Sequence, residues 1–403
     1  MAWLSQTRPE VRSRSLLLAA CAAGVACGQS TPEITLPQVQ NSGGPILANA
    51  AVIAVTFPMP DGGADPLAPM ADAFVAALPG TAFSRMAQEY GVQSLSAQAP
   101  IHSTLRLPVT VDDALWQDQL PKELAGSLDG FRSPPAEALY VLFTPPGVTV
   151  TASGQTGCDD FGGYHSAVRL SGSAKVAYAV VVRCPGGFNG ESEADAITAV
   201  ASHEILESAS DPYYVLDAPA WANVDDAALA FGLLFGGEIA DLCLNSLPAF
   251  YTPTDLPYVV QRTWSNQAAR ARQDPCVPAP TADVPYFQSV PELPAATPVK
   301  LGGTTVDTAG LSLAVGQSVS VPIDLYSASP TDAPWTLDVL ALSSGRVSWT
   351  LDRDHGVGGD QLNLTLTLEK KGSVQGVLGL EAVGVHSRLG DRDQIWPVLI
   401  ETP

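Results

Sequence analysis

Near the end of a helical run the chain reads Ser202-His203-Glu204-Ile205-Leu206-Glu207, followed by Asp211-Pro212. His203 and Glu207 are four residues apart, so on a helix they leave the same face and can grip one metal ion together. Glu204 stands where metallopeptidases of the HExxH type carry the carboxylate that activates a zinc-bound water. Glu207 takes the place of the second histidine, and a carboxylate is an accepted zinc ligand. A zinc centre needs a third protein ligand. Glu238, in Gly236-Gly237-Glu238-Ile239-Ala240-Asp241-Leu242-Cys243, is the first candidate and His165, in Tyr164-His165-Ser166, the second, with Asp211 and Asp241 behind them. The chemistry these residues point to is metal-assisted hydrolysis, with Glu204 as general base. The competing reading is a polar cluster without catalysis, since a histidine and two glutamates at this spacing also arise by chance, and Glu238 with Asp241 can serve loop backbone groups instead.

The elements that must position these residues are legible from periodicity. Residues 46–57 and 138–143 read as buried strands, and 164–170 and 176–183 as two adjacent strands joined by Ser171-Gly172-Ser173. Residues 66–78, 80–90 and 111–120 read as helices, the second ended by Gly91 and the third capped by Thr110. The helix over 192–210 carries the motif and is closed by Asp211-Pro212. Its other residues, among them Ala196, Ile197, Val200 and Ile205, are small or apolar, which predicts burial on all sides. A strand pair feeding such a helix is the order of a zincin-like α+β core, spanning 45–276. Six prolines between 277 and 300 predict an extended linker. Seven short strands within 301–403 then predict an all-β, immunoglobulin-like sandwich.

Composition narrows the function classes. The 403 residues are 46% hydrophobic and only 15% charged, enough for two cores. A net charge of −21 excludes nucleic acid as a partner, because phosphates would be repelled. Residues 1–27 read as a signal peptide, with Arg8, Arg12 and Arg14 ahead of the apolar run from Leu16 to Ala26. Cys27 is the expected lipidation site, with Cys21 close behind, and 28–44 the tether to the body. Export makes the remaining cysteines disulfide partners. Order along the chain favours Cys158 with Cys184 and Cys243 with Cys276 over a four-cysteine zinc site. The protein is thus expected to be secreted or at the cell surface, lipid-anchored in a bacterial envelope, facing a cell-envelope or extracellular polypeptide or polysaccharide.

An ordered array of short motifs carries a further likeness: Gly43-Gly44-Pro45-Ile46, Tyr90-Gly91-Val92, Tyr164-His165-Ser166, Ser202-His203-Glu204 with Glu207 and Asp211-Pro212, Glu238 to Cys243, and Gln261-Arg262-Thr263-Trp264-Ser265-Asn266 with Cys276. Over 43–276 the chain resembles the EXORDIUM-like (phosphate-induced protein) family, above all its bacterial secreted or lipoprotein relatives. For the plant branch the resemblance implies an extracellular, wall-associated, growth-promoting protein with no settled chemistry, whose helix often lacks the full His-Glu-Glu set.

Lipidation gives a direct test in the native envelope. Incorporation of a palmitate analogue is expected to vanish in Cys27→Ser and to persist in Cys21→Ser; the reverse pattern moves the site, and an unlabelled wild type removes the anchor.

Overall fold

A computed structural model describes residues 34–187, 191–280, 285–301 and 303–403. The signal peptide, both of its cysteines and residues 28–33 of the tether lie outside the described residues.

The first half is organised by a six-stranded sheet. Its strands are β1 (Asn49–Thr56), β2 (Ser94–Ala97), β3 (Ile101–His102), β4 (Ala138–Phe143), β5 (Gly163–Arg169) and β6 (Lys175–Val181). The order across the sheet is β2-β1-β4-β6-β5, with β3 also pairing β1. All neighbours are parallel except β6 and β5, which pair antiparallel with His165 opposite Ala179. Strand β4 (Ala-Leu-Tyr-Val-Leu-Phe) is buried throughout, as a strand covered on both faces must be.

Helices cover both faces. On one side, Ile53, Tyr140, Leu142, Tyr178 and Val180 pack against Trp116, Leu120 and Leu124 of α2 (Asp113–Gly126). On the other, Val52, Leu139, Val141, Ala177 and Ala179 pack against α1 (Ala68–Ala77) and α3 (Glu193–Ser210). Asp112, rather than Thr110, caps α2 by accepting a hydrogen bond from the Leu115 N–H. Ser192 caps α3 by accepting from the Asp195 N–H, and every residue of α3 from Ala196 to Ser210 is buried.

From Phe287 onward no helix interrupts the strands among the described residues, and the chain builds two stacked sheets. One sheet runs β7-β9-β13-β11 and the other β8-β15-β14-β10-β12. The strands are β7 (Phe287–Pro291), β8 (Gly310–Ser312), β9 (Ser318–Ser327), β10 (Trp335–Ala341), β11 (Arg346–Leu351), β12 (His355–Gly356), β13 (Gln361–Lys370), β14 (Leu380–Leu389) and β15 (Arg392–Glu401). Alternation sets the faces. In β13, Leu362, Leu364, Leu366 and Leu368 point inward to meet Phe287, Trp335, Val383 and Val398. The stack is docked on the first half. Arg392 forms a buried ion pair with Asp274, Phe231 meets Trp396 edge-on at 5.2 Å, and the Tyr326 hydroxyl donates to the Arg272 carbonyl.

Three expectations are corrected. Among the described residues the protein is mostly β, with 37% strand and 19% helix, and its strands fall into nine sheets. A zincin-like α+β domain followed by an immunoglobulin-like sandwich is therefore not the architecture. The physical reason lies in residues 211–277, which hold only short helices (Leu229–Phe235 and Asn266–Arg270) and two-residue strand pairings, stapled by a disulfide. The stretch read as a linker contributes β7, which pairs with β9; its prolines concealed a strand with Pro291 at its end. The described part of the tether is also built in: Ile34, Leu36 and Val39 are buried, and Val39 exchanges both backbone hydrogen bonds with the Asn266 side chain.

Leu139 lies fully buried at the centre of the sheet under α3. Leu139→Ala is expected to cost about 2–5 kcal/mol, read as a lowered denaturation midpoint. Leu378→Ser, at a side chain 86% exposed, is expected to stay within about 0.5 kcal/mol.

Candidate metal centre

Strand alternation places His165 on the α3 side of the sheet. It stands opposite Ala179, whose face is covered by α3, whereas neighbouring Ser166 stands opposite Tyr178 on the α2 side. Gly163 makes the approach of helix to strand feasible: a Cβ there would lie 2.7 Å from Val200 Cγ1 and 2.9 Å from Glu204 Oε1. The loop carrying Glu238 and Asp241 needs a glycine at its start for a similar reason. Gly236 has φ +94°, and a Cβ on it would overlap the Asp241 carboxylate. The Cys243–Cys276 disulfide holds the end of that loop, and the Trp264 N–H donates to the Ile239 carbonyl at 2.7 Å.

These elements bring His165, His203, Glu204, Glu207, Glu238, Asp241 and Asp211 into one buried region, none of them more than 4% exposed. Glu207 is its hub. One carboxylate oxygen accepts the Ala240 and Asp241 backbone N–H groups, both at 3.0 Å. The other, Oε2, pairs with His203 Nε2 at 2.9 Å. His203 Nε2 is also 3.5 Å from Asp241 and 4.0 Å from Glu204. His165 Nε2 sits 3.1 and 3.3 Å from the two oxygens of Glu238.

The ligand atoms form two sets. Those of His203, Glu204 and Glu207 lie within 4.8 Å of one another, as do those of His165, Glu207 and Glu238. The sequence-derived set, in which Glu238 or His165 completes a site with His203 and Glu207, is thus divided, with Glu207 common to both halves. Glu204 stands among the donors as well as in the place expected of a base.

Gln261 is absent from the sequence-derived candidates. Its amide nitrogen donates to the Ala240 carbonyl at 2.6 Å, which turns its oxygen toward His203 Nδ1 at 3.0 Å. Nδ1 therefore carries a proton, and Nε2 faces Glu207 Oε2; in the protonated ring that its raised affinity favours, Nε2–H donates to that oxygen, and a bound cation would take the proton's place. Nothing in spacing marks Gln261, 58 residues beyond His203; its only signal is its place in the Gln261–Asn266 motif.

Burial and mutual charge set the proton affinities. Burial raises Glu204 and Glu238 to about 7 against the partial relief given by His203 and His165 respectively. Burial also raises Asp241, and the charge of Glu207 adds to it. It would lower both histidines, but the carboxylates prevail: Glu238 above all holds His165 up to about 10, and Glu207 holds His203 well above the ordinary imidazole range. Burial pushes Glu207 up as well, yet it remains below its usual range because the charge of His203 prevails.

No family model and no curated protein matches the chain. Among solved structures, domains 4 and 5 of the S-layer protein SbsC match at 14% identity and a TM-score of 0.17, over 28% of this chain and 53% of that one. A beta-glucosidase from Listeria innocua matches at 12% identity and a TM-score of 0.18, over 92% of this chain and 48% of that one. The chain spans about half the length of each. Likenesses this distant carry no argument about fold or function. The disulfides Cys158–Cys184 and Cys243–Cys276 are compatible with a secreted or cell-surface protein. No described helix is long and apolar enough to cross a membrane.

Gly163→Val is expected to displace α3 from β5, lowering stability by about 1–3 kcal/mol through overpacking. Thermal unfolding checks it; an unchanged midpoint would show that the close approach is not required.

Proposed function

We propose that this is an exported protein built around a buried metal centre, in which His203, Glu204 and Glu207 hold a divalent cation. The observation that carries the reading is the convergence of His203, Glu204 and Glu207, whose donor atoms lie within 4.8 Å of one another in a buried site, with the other imidazole nitrogen fixed by Gln261. Mixed imidazole and carboxylate donors suit zinc. The residues fit the ion on charge as well, because clustered buried carboxylates are costly without a cation. A bound zinc ion would neutralise part of that charge and, at an open position, acidify water.

The chain's own residues define the role. Glu207 ties α3 to the Ala240–Asp241 backbone, so an ion held there secures helix and loop together. The enclosure of all these side chains supports a structural ion, since structural zinc sites are closed and catalytic ones keep a position open. Hydrolysis is the second reading. It is favoured by Glu204, whose proton affinity near 7 suits general acid–base work. Membership of the EXORDIUM-like family, a lipid anchor at Cys27, and a cell-envelope or extracellular polypeptide or polysaccharide partner belong to the same proposal.

Purified protein is expected to contain zinc that His203→Ala loses, and Gln261→Leu to weaken zinc binding about 10–100-fold. Ligating imidazole must be neutral, so binding releases protons and apparent affinity falls as pH is lowered. Zinc-free wild type that also fails to take up zinc on titration sinks the reading. Zinc-dependent peptide cleavage lost in Glu204→Gln would select the hydrolase.

A further inference from the structure

We infer that the centre takes two divalent cations, the second held by His165, Glu238 and Glu207, with Glu207 shared between them. This rests on the metal-centre reading above and extends it. A single zinc ion with bonds of about 2.0–2.2 Å keeps its ligand atoms within roughly 4.4 Å of one another. Here the two imidazoles fall in separate donor sets, each consisting of one imidazole and two carboxylates, and only Glu207 belongs to both.

Unmatched buried polar atoms lie beside both sets. Asp241 Oδ2 has no hydrogen-bond partner beside the His203 set, and His165 Nδ1 has none in the other. Strand and helix supply the sets independently: β5 brings His165 and the loop after Gly236-Gly237 brings Glu238, while α3 supplies His203 and Glu204. Paired metal ions about 3.5–4 Å apart clamp a shared site in many hydrolytic and phosphoryl-transfer centres, and with Glu207 Oε1 held by two backbone N–H groups, the single oxygen Oε2 would bridge them. Charge points the same way. Five carboxylates (Glu204, Glu207, Glu238, Asp241 and Asp211) share one buried region with two imidazoles.

The test is zinc stoichiometry on the full chain by elemental analysis after equilibration with zinc and gel filtration. Two zinc ions are expected in the wild type, one in His165→Gln, one in His203→Gln and none in Glu207→Gln. One ion in the wild type, retained in His165→Gln and lost in His203→Gln, overturns this inference while leaving the single-ion reading standing. One ion lost in either histidine variant overturns it in favour of a single shared ion, and no ion in the wild type removes both readings. Should a variant fail to fold, manganese(II) titration of the wild type decides by electron paramagnetic resonance. A second equivalent spin-coupled to the first supports the pair, and saturation at one equivalent, or two uncoupled signals, overturns it.

Discussion

The buried carboxylate of Glu207 is the interaction on which the centre depends. It gives one oxygen to two consecutive backbone N–H groups of the Ala240–Asp241 loop and turns the other toward His203. A carboxylate that receives two N–H bonds is anchored more firmly than by a single charge partner. Its position in turn requires α3 to lie close on β5, which Gly163 permits, and the loop to curl back, which Gly236 permits.

The remainder of the fold serves this arrangement by rigidity. Both faces of the mixed sheet are covered, so α3 is buried all round instead of on one stripe. The second disulfide closes the loop region against the strand at Cys276, and the stacked sheets pack beyond it through Arg392 and Asp274. A buried polar cluster needs such surroundings, because in a loosely packed setting water would satisfy the same groups.

Much of this was legible in the residues. Strand 138–143 and helix 192–210 followed from apolar runs and from the Ser192 and Asp211-Pro212 boundaries, and the structure places them within a residue of those limits. The i, i+4 pairing of His203 and Glu207 followed from helical geometry alone. What sequence did not disclose is nonlocal. Gln261 meets His203 only because the chain returns across α3, and the division of the ligands into two sets depends on how far β5 lies from the helix. Prolines misled in 277–300, where a strand end tolerates Pro291, and polar residues misled in 34–44, where the apolar side chains of Ile34, Leu36 and Val39 are buried. The general α+β expectation failed because local motifs around one helix say little about the irregular, β-paired segments that follow it.

The burial of Ile34 has a consequence for distance. With a lipid on Cys27, the intervening chain at about 3.5 Å per residue reaches at most about 25 Å. The folded body would then stay within about three screening lengths of the bilayer, where only its nearest surface feels the headgroups' charge, so the short leash, more than long-range repulsion, would set its distance.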